Sequence, residues 1–194
     1  TTAIAGFDLT FSPVKSVSAL WALADPTTAA RIELAHQKAV KQALQYIETR
    51  LLYSREGTRG VRQVDVTGLV AASFTHRDSR AGDPDLHTHV AVANKVKTTV
   101  TGKWLSIDGR VLYRGAVAAS EEYNTALVKL LERDGFRFTD RPCPDTRKRP
   151  VRELAGVSAE LNERWSSRRA DIETRRATLV ADFQRDHGRP PSVV

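Results

Sequence analysis

Residues 69–97 read LVAASFTHRDSRAGDPDLHTHVAVANKVK, and this stretch says most about the fold. Both of its ends are rich in apolar and β-branched residues, and a polar segment with a Gly-Asp-Pro sequence, residues 77–85, separates them. Such a pattern is typical of two strands joined by a hairpin connection. We therefore predict strands over residues 69–76 and 86–97 that pair with each other.

The second predicted strand has two chemically different faces. Successive side chains of a strand point to opposite sides, so residues two apart share a face. His87 and His89 lie on one face. The other face carries Thr88, Val90, Val92 and Val96.

A third histidine completes a possible metal site. His76 ends the first predicted strand, where the hairpin returns beside it, and three of the five histidines of the chain fall within residues 76–89. His87 and His89 leave the same face about 6.5 to 7 Å apart. A lone histidine is more often a hydrogen-bonded core or surface residue, but three on paired strands favour one divalent metal ion with coordination positions left open for catalysis.

Aspartates near these histidines have two possible roles. Asp78, Asp83 and Asp85 lie in or beside the polar segment. One of them could orient a ligand imidazole from behind. The alternative is turn formation, which we favour for Asp83 because it precedes Pro84.

The remaining sequence predicts strands interleaved with long helices. Strands are predicted over residues 4–11, 61–66 and 103–107. Helices are predicted over residues 15–24, 28–52 (capped by Thr27 or Thr28), 111–134 and 158–187 (capped by Ser158), with an irregular or extended segment at 136–156. We expect an α+β fold in which an antiparallel β-sheet of about five strands is flanked by helices.

Composition restricts the partner and the compartment. The formal net charge of +7 and the pI of about 9.8 favour a polyanionic partner, nucleic acid before membrane. No apolar run approaches the roughly 18 residues of a membrane span, so we expect no membrane insertion. Cys143 is the single cysteine and cannot form an internal disulfide. With no secretory signal, a reducing, cytoplasmic location is expected, and no local motif supports a catalytic role for Cys143.

Several motifs resemble those of conjugative relaxases of the TrwC/TraI type, the MobF class of the HUH (histidine-hydrophobe-histidine) endonuclease superfamily. One is His76 with SRAGDPDLHTH at 79–89, in which Thr88 takes the middle position, and another is GFDLTFSPVKSVS at 6–18. WLSIDGR at 104–110, EYNT at 122–125 and residues 156–169 resemble later parts of the family. The resemblance implies an HUH relaxase-like domain that nicks one DNA strand at a plasmid transfer origin.

The resemblance also implies the chemistry. A tyrosine attacks the scissile phosphate and leaves a 5′-phosphotyrosyl link and a free 3′-hydroxyl, while the metal stabilises charge in the transition state. Mg or Mn would serve in function, whereas three imidazole ligands by themselves suit Zn or Ni as well. The implied partners are single-stranded DNA at the transfer origin and the other relaxosome and conjugation proteins.

Residue roles follow from the same motifs. The metal ligands are His76, His87 and His89. Asp8 would accept the tyrosine proton or fix a histidine tautomer, although a strand aspartate can also simply face solvent. Lys15 and Arg80 would contact DNA phosphates, against the alternatives of a solvated lysine and a salt bridge within the loop.

One departure from the family concerns the nucleophile. In the family the nucleophilic tyrosine lies upstream of the motif that begins here at Gly6, and only five residues precede it. We expect that tyrosine and the first strand of the sheet to lie upstream of Thr1. Residues 1–194 would then be a relaxase domain truncated at its N-terminus, which would not cleave alone. Its sheet would have an unpaired edge. Within this domain we expect a core with the metal site at 1–140 and a basic connection with a charged helix at 141–194.

Three other functions stay open. The chain could be a non-catalytic single-stranded DNA-binding module, as its charge allows. It could be a replication-initiator-type HUH nickase that uses Tyr123, although the lysine that usually follows three residues later is missing. A zinc hydrolase acting on a small molecule is the third, but no general-base glutamate lies near the histidines.

Overall fold

In the computed structural model, which describes residues 3–142 and 149–192, the chain forms antiparallel sheets flanked by helices. The described strands are β1 Gly6–Phe11, β2 Tyr53–Glu56, β3 Arg62–Thr67, β4 Ala71–Asp78, β5 Pro84–Ala93, β6 Val96–Thr98, β7 Trp104–Leu105, β8 Phe138–Arg141 and β9 Val151–Leu154. The described helices are α1 Lys15–Leu23, α2 Pro26–Arg50, α3 Gly109–Arg133, α4 Ala159–Arg164 and α5 Ser167–His187. The predicted α+β class is confirmed, with nine described strands rather than about five.

The central sheet has three strands in the order β1-β5-β4. Strand β5 pairs with β1 through Leu9 and Val90, and with β4 through His76 and His87. Within the described residues, β1 and β4 are therefore the edges of this sheet. The predicted pairing of the two strands in the opening stretch is confirmed.

One face of the central sheet is buried beneath α2 and α3. Leu86, Val90 and Val92 of β5 are at most 2% exposed and join one core cluster with residues of both helices. Since β5 alternates strictly, this burial leaves the other face of the sheet open. The faces predicted for β5 are thus the observed ones.

Strand β5 ends earlier than predicted. The segment expected as one strand over 86–97 is divided into β5 and β6, which belong to different sheets. Between them the Asn94 side chain accepts a hydrogen bond from the Ile107 amide and donates one to the Ile4 carbonyl. A side-chain amide that bonds to distant backbone groups ends the regular pairing at this point.

Helix boundaries also differ from prediction. Helix α2 is capped by Asp25, whose carboxylate accepts hydrogen bonds from the amides of Thr27 and Thr28, and these two residues are not caps themselves. Pro26 at the first helical position favours this earlier start. The helix expected over 158–187 is capped by Ser158 as predicted, but it is divided into α4 and α5 around residues 165–166.

The segment 136–156, expected to be irregular or extended, contains a hairpin of β8 and β9. Its residue Leu154 is buried in the core, and the Leu154 amide donates to the hydroxyl of Ser16 in α1. The hairpin therefore crosses the predicted boundary at residue 140. Cys143 lies outside the described residues.

The longest described helices, α2 and α3, have 25 residues each. No helix in residues 3–142 and 149–192 combines the length and the apolar character needed to cross a membrane.

Candidate metal centre

Three histidines meet on the open face of the central sheet. His76 of β4 and His87 of β5 are direct cross-strand partners, and His89 is two residues further along β5. The ring centres are 5.3 Å apart for His76 and His87, 5.5 Å for His76 and His89, and 5.1 Å for His87 and His89. The three rings therefore form one cluster, called the histidine cluster below.

Asp8 of β1 orients His89. Nδ1 of His89 lies 2.8 Å from one carboxylate oxygen of Asp8 and 3.0 Å from the other. An ionised carboxylate can only accept hydrogen bonds, so Nδ1 carries a proton, and in the neutral ring Nε2 keeps its lone pair. A ring held in this way is prepared to bind a metal through Nε2.

His87 is held in the same tautomer by its own strand. Its Nδ1 lies 2.8 Å from the backbone carbonyl oxygen of Asp85, and a carbonyl oxygen is also an acceptor only. The Asp85 carboxylate is further away, at 3.6 Å. Of the three aspartates considered from the sequence, Asp85 thus orients an imidazole, and it does so through its backbone.

Lys15 and Arg80 do not hydrogen-bond to the histidine cluster. Lys15 begins α1, and its ammonium donates to the carbonyl of Pro84 at 2.6 Å, where β5 starts. Arg80 is exposed in the loop between β4 and β5. That loop is closed by a hydrogen bond of 2.8 Å from the Ser79 amide to the Asp83 carbonyl.

A buried polar network lies on the other side of the sheet, and sequence reasoning did not predict it. His36 of α2 is fully buried, with Nδ1 2.7 Å from the Tyr123 hydroxyl and Nε2 2.7 Å from the Thr88 hydroxyl. Thr88 in turn lies 3.0 Å from the Thr75 hydroxyl. Burial lowers the pKa of His36 to about 4, so the ring is neutral at pH 7. Its place among the apolar residues of α2 was the only signal in the sequence.

The same network determines the state of Tyr123. This residue is 2% exposed, and burial raises the pKa of its phenol. Its hydroxyl points to His36, beneath the sheet, and not towards the open face. A nucleophilic role for Tyr123 is therefore inconsistent with the structure.

The chain matches the model of a protein family described as TrwC relaxase over residues 1–194. Two curated relatives are both named multifunctional conjugation protein TraI. One, from Escherichia coli, is 43% identical over an alignment 180 residues long, and the match covers 82% of this chain and 10% of the relative. The other, from Escherichia coli strain K12, is 36% identical over an alignment 198 residues long, and the match covers 91% of this chain and 11% of the relative.

Solved structures of the conjugative relaxase TrwC in complex with oriT DNA have the same fold. A metal-bound structure has a TM-score of 0.73 and 28% identity, and the match covers 98% of this chain and 60% of that one. A copper-bound structure has a TM-score of 0.72 and 28% identity, with 98% and 59% covered. A metal-free structure has a TM-score of 0.72 and 29% identity, with 98% and 61% covered. The chain thus spans about a tenth of its curated relatives and about three fifths of the TrwC chains.

Proposed function

Because the chain belongs to the TrwC relaxase family, we propose that it acts within a relaxase that nicks one DNA strand at a plasmid transfer origin during conjugation. The reaction is a metal-dependent transfer of the phosphodiester to a tyrosine. Residues 1–194 contribute the relaxase domain, with the metal site in residues 1–140 and the charged C-terminal helix in 141–194. The partners are single-stranded transfer-origin DNA and other relaxosome proteins, in the cytoplasm.

The histidine cluster is the observation that carries this proposal. Three imidazoles converge on an open sheet face, and the ring centres are 5.1 to 5.5 Å apart. Imidazoles bound to one tetrahedral ion, with metal–nitrogen bonds of about 2.0 to 2.1 Å, have their centres about 5 Å apart. The cluster therefore has the spacing that a metal site needs.

The nitrogen positions fit less well than the ring centres. Within the described residues, no group of three or more His, Cys, Asp or Glu side chains could hold a metal ion as placed. The spacing of the ring centres carries the assignment, because rotation about the bond between Cβ and the ring is soft and moves the nitrogens more than the centre. The tautomers of His87 and His89 support the same assignment, since both keep Nε2 unprotonated.

We assign His76, His87 and His89 as the residues that hold the metal. A bound divalent ion would polarise the scissile phosphate and stabilise the charge that develops on it. Mg or Mn is the proposed ion in function, with Zn or Ni as further candidates for this ligand set. That solved TrwC relaxases include metal-bound and copper-bound forms supports a metal here.

The nucleophile has to reach the open face from outside the central sheet. Strands β1, β4 and β5 carry no tyrosine. Asp8 lies beside His89 and its side chain is 60% exposed. Its carboxylate fixes the tautomer of His89 through the hydrogen bond to Nδ1, and it is accessible to accept a proton from an incoming phenol. We propose both roles for Asp8.

Lys15 and Arg80 have different roles in this proposal. Arg80 is exposed on the loop that leads into β5 and can contact a phosphate next to the histidine cluster. The Lys15 ammonium is bonded to the Pro84 carbonyl and holds the first residue of β5. A phosphate contact by Lys15 would use its remaining donors.

A covalent-adduct assay tests the function. The chain and the full-length protein that contains it are each mixed with Mn and a labelled single-stranded transfer-origin oligonucleotide, and denaturing gels reveal protein bound covalently to DNA. His87→Ala should abolish the adduct and weaken metal binding, measured by calorimetry on the chain, by at least about 10- to 100-fold. His187→Ala, which removes an exposed histidine at the end of α5, is the matched control and should change neither.

The other outcomes identify the competing functions. DNA binding without an adduct from either protein form contradicts the nickase and indicates a binding module. An adduct that Tyr123→Phe abolishes would indicate the replication-initiator mechanism. Metal binding without salt-dependent DNA binding would favour a hydrolase for small molecules.

A further inference from the structure

Phe74 is a large apolar side chain exposed beside the histidine cluster. It belongs to β4, its direct cross-strand partner is His89, and His76 follows two residues later. Both relations place its ring on the same face of the sheet as the cluster. The ring is 55% exposed, so it contributes little to the core.

The surroundings leave the face of this ring accessible. The neighbouring positions on the same face are the small residues Ala72 and Ala91, both of which are exposed. The three histidine rings pair with one another, and no described aromatic ring pairs with Phe74. Phe74 therefore stands as an isolated flat apolar surface at the rim of a polar site.

We infer that Phe74 stacks on one base of the single-stranded DNA, in a nucleotide adjacent to the phosphodiester held at the histidine cluster. This inference rests on the proposed function. A residue directly across a strand pair is about 4.5 to 5.5 Å away, and one two positions along is about 6.5 to 7 Å away. At those separations the Phe74 ring lies directly beside any group held at the histidine cluster.

A nucleobase fits this surface better than an apolar protein segment does. The ring stands alone between alanines and histidines and offers no groove for several side chains, whereas a single base needs only one ring. The net charge of +7 attracts a polyanion to the molecule. Stacking accepts any base, so Phe74 orients the backbone at the scissile phosphate without selecting the sequence. Phe74 is thus a positioning residue.

The test combines protein variants with abasic DNA. Affinities for a single-stranded transfer-origin oligonucleotide are measured by fluorescence anisotropy for wild type, Phe74→Ala and Phe74→Trp, and a single abasic nucleotide is moved through the nick region. Phe74→Ala should weaken binding roughly 5- to 150-fold, and Phe74→Trp should restore it. Leu34→Ala removes a side chain of similar exposure, 50%, from α2 on the helical side of the sheet and should have no effect.

The abasic series separates stacking from a structural role. At one position, the abasic nucleotide should weaken wild-type binding but not weaken Phe74→Ala binding any further, because the same contact has already been lost. Additive losses at every position would overturn the inference. If the full-length wild-type protein binds the DNA and forms the adduct while its Phe74→Ala variant behaves identically, only the inference fails. If the full-length wild-type protein shows neither metal-dependent adduct nor DNA binding, the proposed function fails with it.

Discussion

His36 lies directly beneath the histidine cluster, on the opposite side of the central sheet, and bonds to Thr88 between the two cluster histidines of β5. Both of its ring nitrogens have partners, and the ring is fully buried. Burial is the main cause of its low pKa. Two charges act on the pKa of His36 as well: the charge of nearby Glu33 raises it, and the charge of His87 lowers it. Its neutral form is therefore part of the folded state.

This residue should make stability depend on pH. The pKa of His36 is about 4 when folded, against 6.5 for an ordinary histidine, so the unfolded state binds more protons between these values. The stability that neutral His36 provides is fully present above about pH 6.5. As the pH falls towards 4, the free energy of unfolding decreases by on the order of 3 kcal/mol on account of this residue. We expect urea unfolding at pH 7.5, 6 and 5 to show this loss in wild type and a smaller one in His36→Gln.

The chain has four further histidines, so the comparison is made between variants that each remove one histidine. His187→Gln should keep the wild-type pH dependence, since His187 is exposed. His36→Gln should also be less stable at pH 7.5 by about 1 to 3 kcal/mol, because a buried partner loses its hydrogen bond. Equal pH dependence in wild type and His36→Gln would contradict the role of burial.

The candidate site could be predicted only where its geometry is local. Strand periodicity places His87 and His89 on one face, and the hairpin brings His76 beside them. The partners Asp8 and His89 are 81 residues apart, so only family resemblance suggested their proximity. His36 lies 52 residues from Thr88 and 87 from Tyr123, and no local pattern encodes such contacts.

At the scale of elements, α5 is attached mainly at its beginning. None of its described side chains is buried. Asp83, from the loop between β4 and β5, accepts hydrogen bonds of 2.9 Å from both the amide and the hydroxyl of Ser167. The Asp83 amide also donates a hydrogen bond to the Ser79 hydroxyl, so one aspartate forms the turn and caps the helix. The loop next to the histidine cluster and the C-terminal helix are thereby linked.

Asp83→Ala should release the start of α5. Loss of a helix cap costs about 0.5 to 2 kcal/mol, and a helix without buried side chains has little else to oppose fraying. Hydrogen exchange should become faster for the amides of residues 167–187 and stay unchanged in β5. Asp83→Asn keeps an acceptor oxygen and should show a smaller effect. Unchanged exchange in α5 of Asp83→Ala would show that other contacts hold the helix.

Most elements could be predicted from periodicity, and most errors lie at their ends. The ends depend on single polar contacts: the carboxylate of Asp25 starts α2, and the side chain of Asn94 stops β5. Asn94 reaches residues 90 positions before it and 13 after it. A pattern within one strand cannot reveal such partners.

At the scale of the whole molecule, the α+β class was predictable, but the division into separate sheets was not. That division follows from the end of β5 at Ala93, after which β6 pairs with β3 and β7 instead. The three-stranded sheet keeps one face open. The histidine cluster, Asp8 and Phe74 all lie on that face.

The positive charge of the molecule should give DNA binding a contribution that depends on salt and not on sequence. Each phosphate neutralised on a single strand contributes about −0.7 to the slope of log affinity against log salt concentration. We expect Arg80→Ala to weaken binding of single-stranded oligonucleotides of any sequence and to make the slope shallower by about 0.7. Arg80→Lys should keep the slope, since a lysine neutralises a phosphate as a point charge.

The matched control is an arginine on the helical side of the sheet. Arg31 of α2 bonds to Asp134 at the end of α3, and Arg31→Ala changes the net charge by the same amount as Arg80→Ala. If only the total charge mattered, the two variants would shift affinity alike. A change of slope confined to Arg80→Ala would place a phosphate at the loop before β5, next to the histidine cluster. Equal slopes in both variants would show that Arg80 does not contact DNA. Among the described residues, the proposed DNA-binding surface would then be limited to the open face of the central sheet.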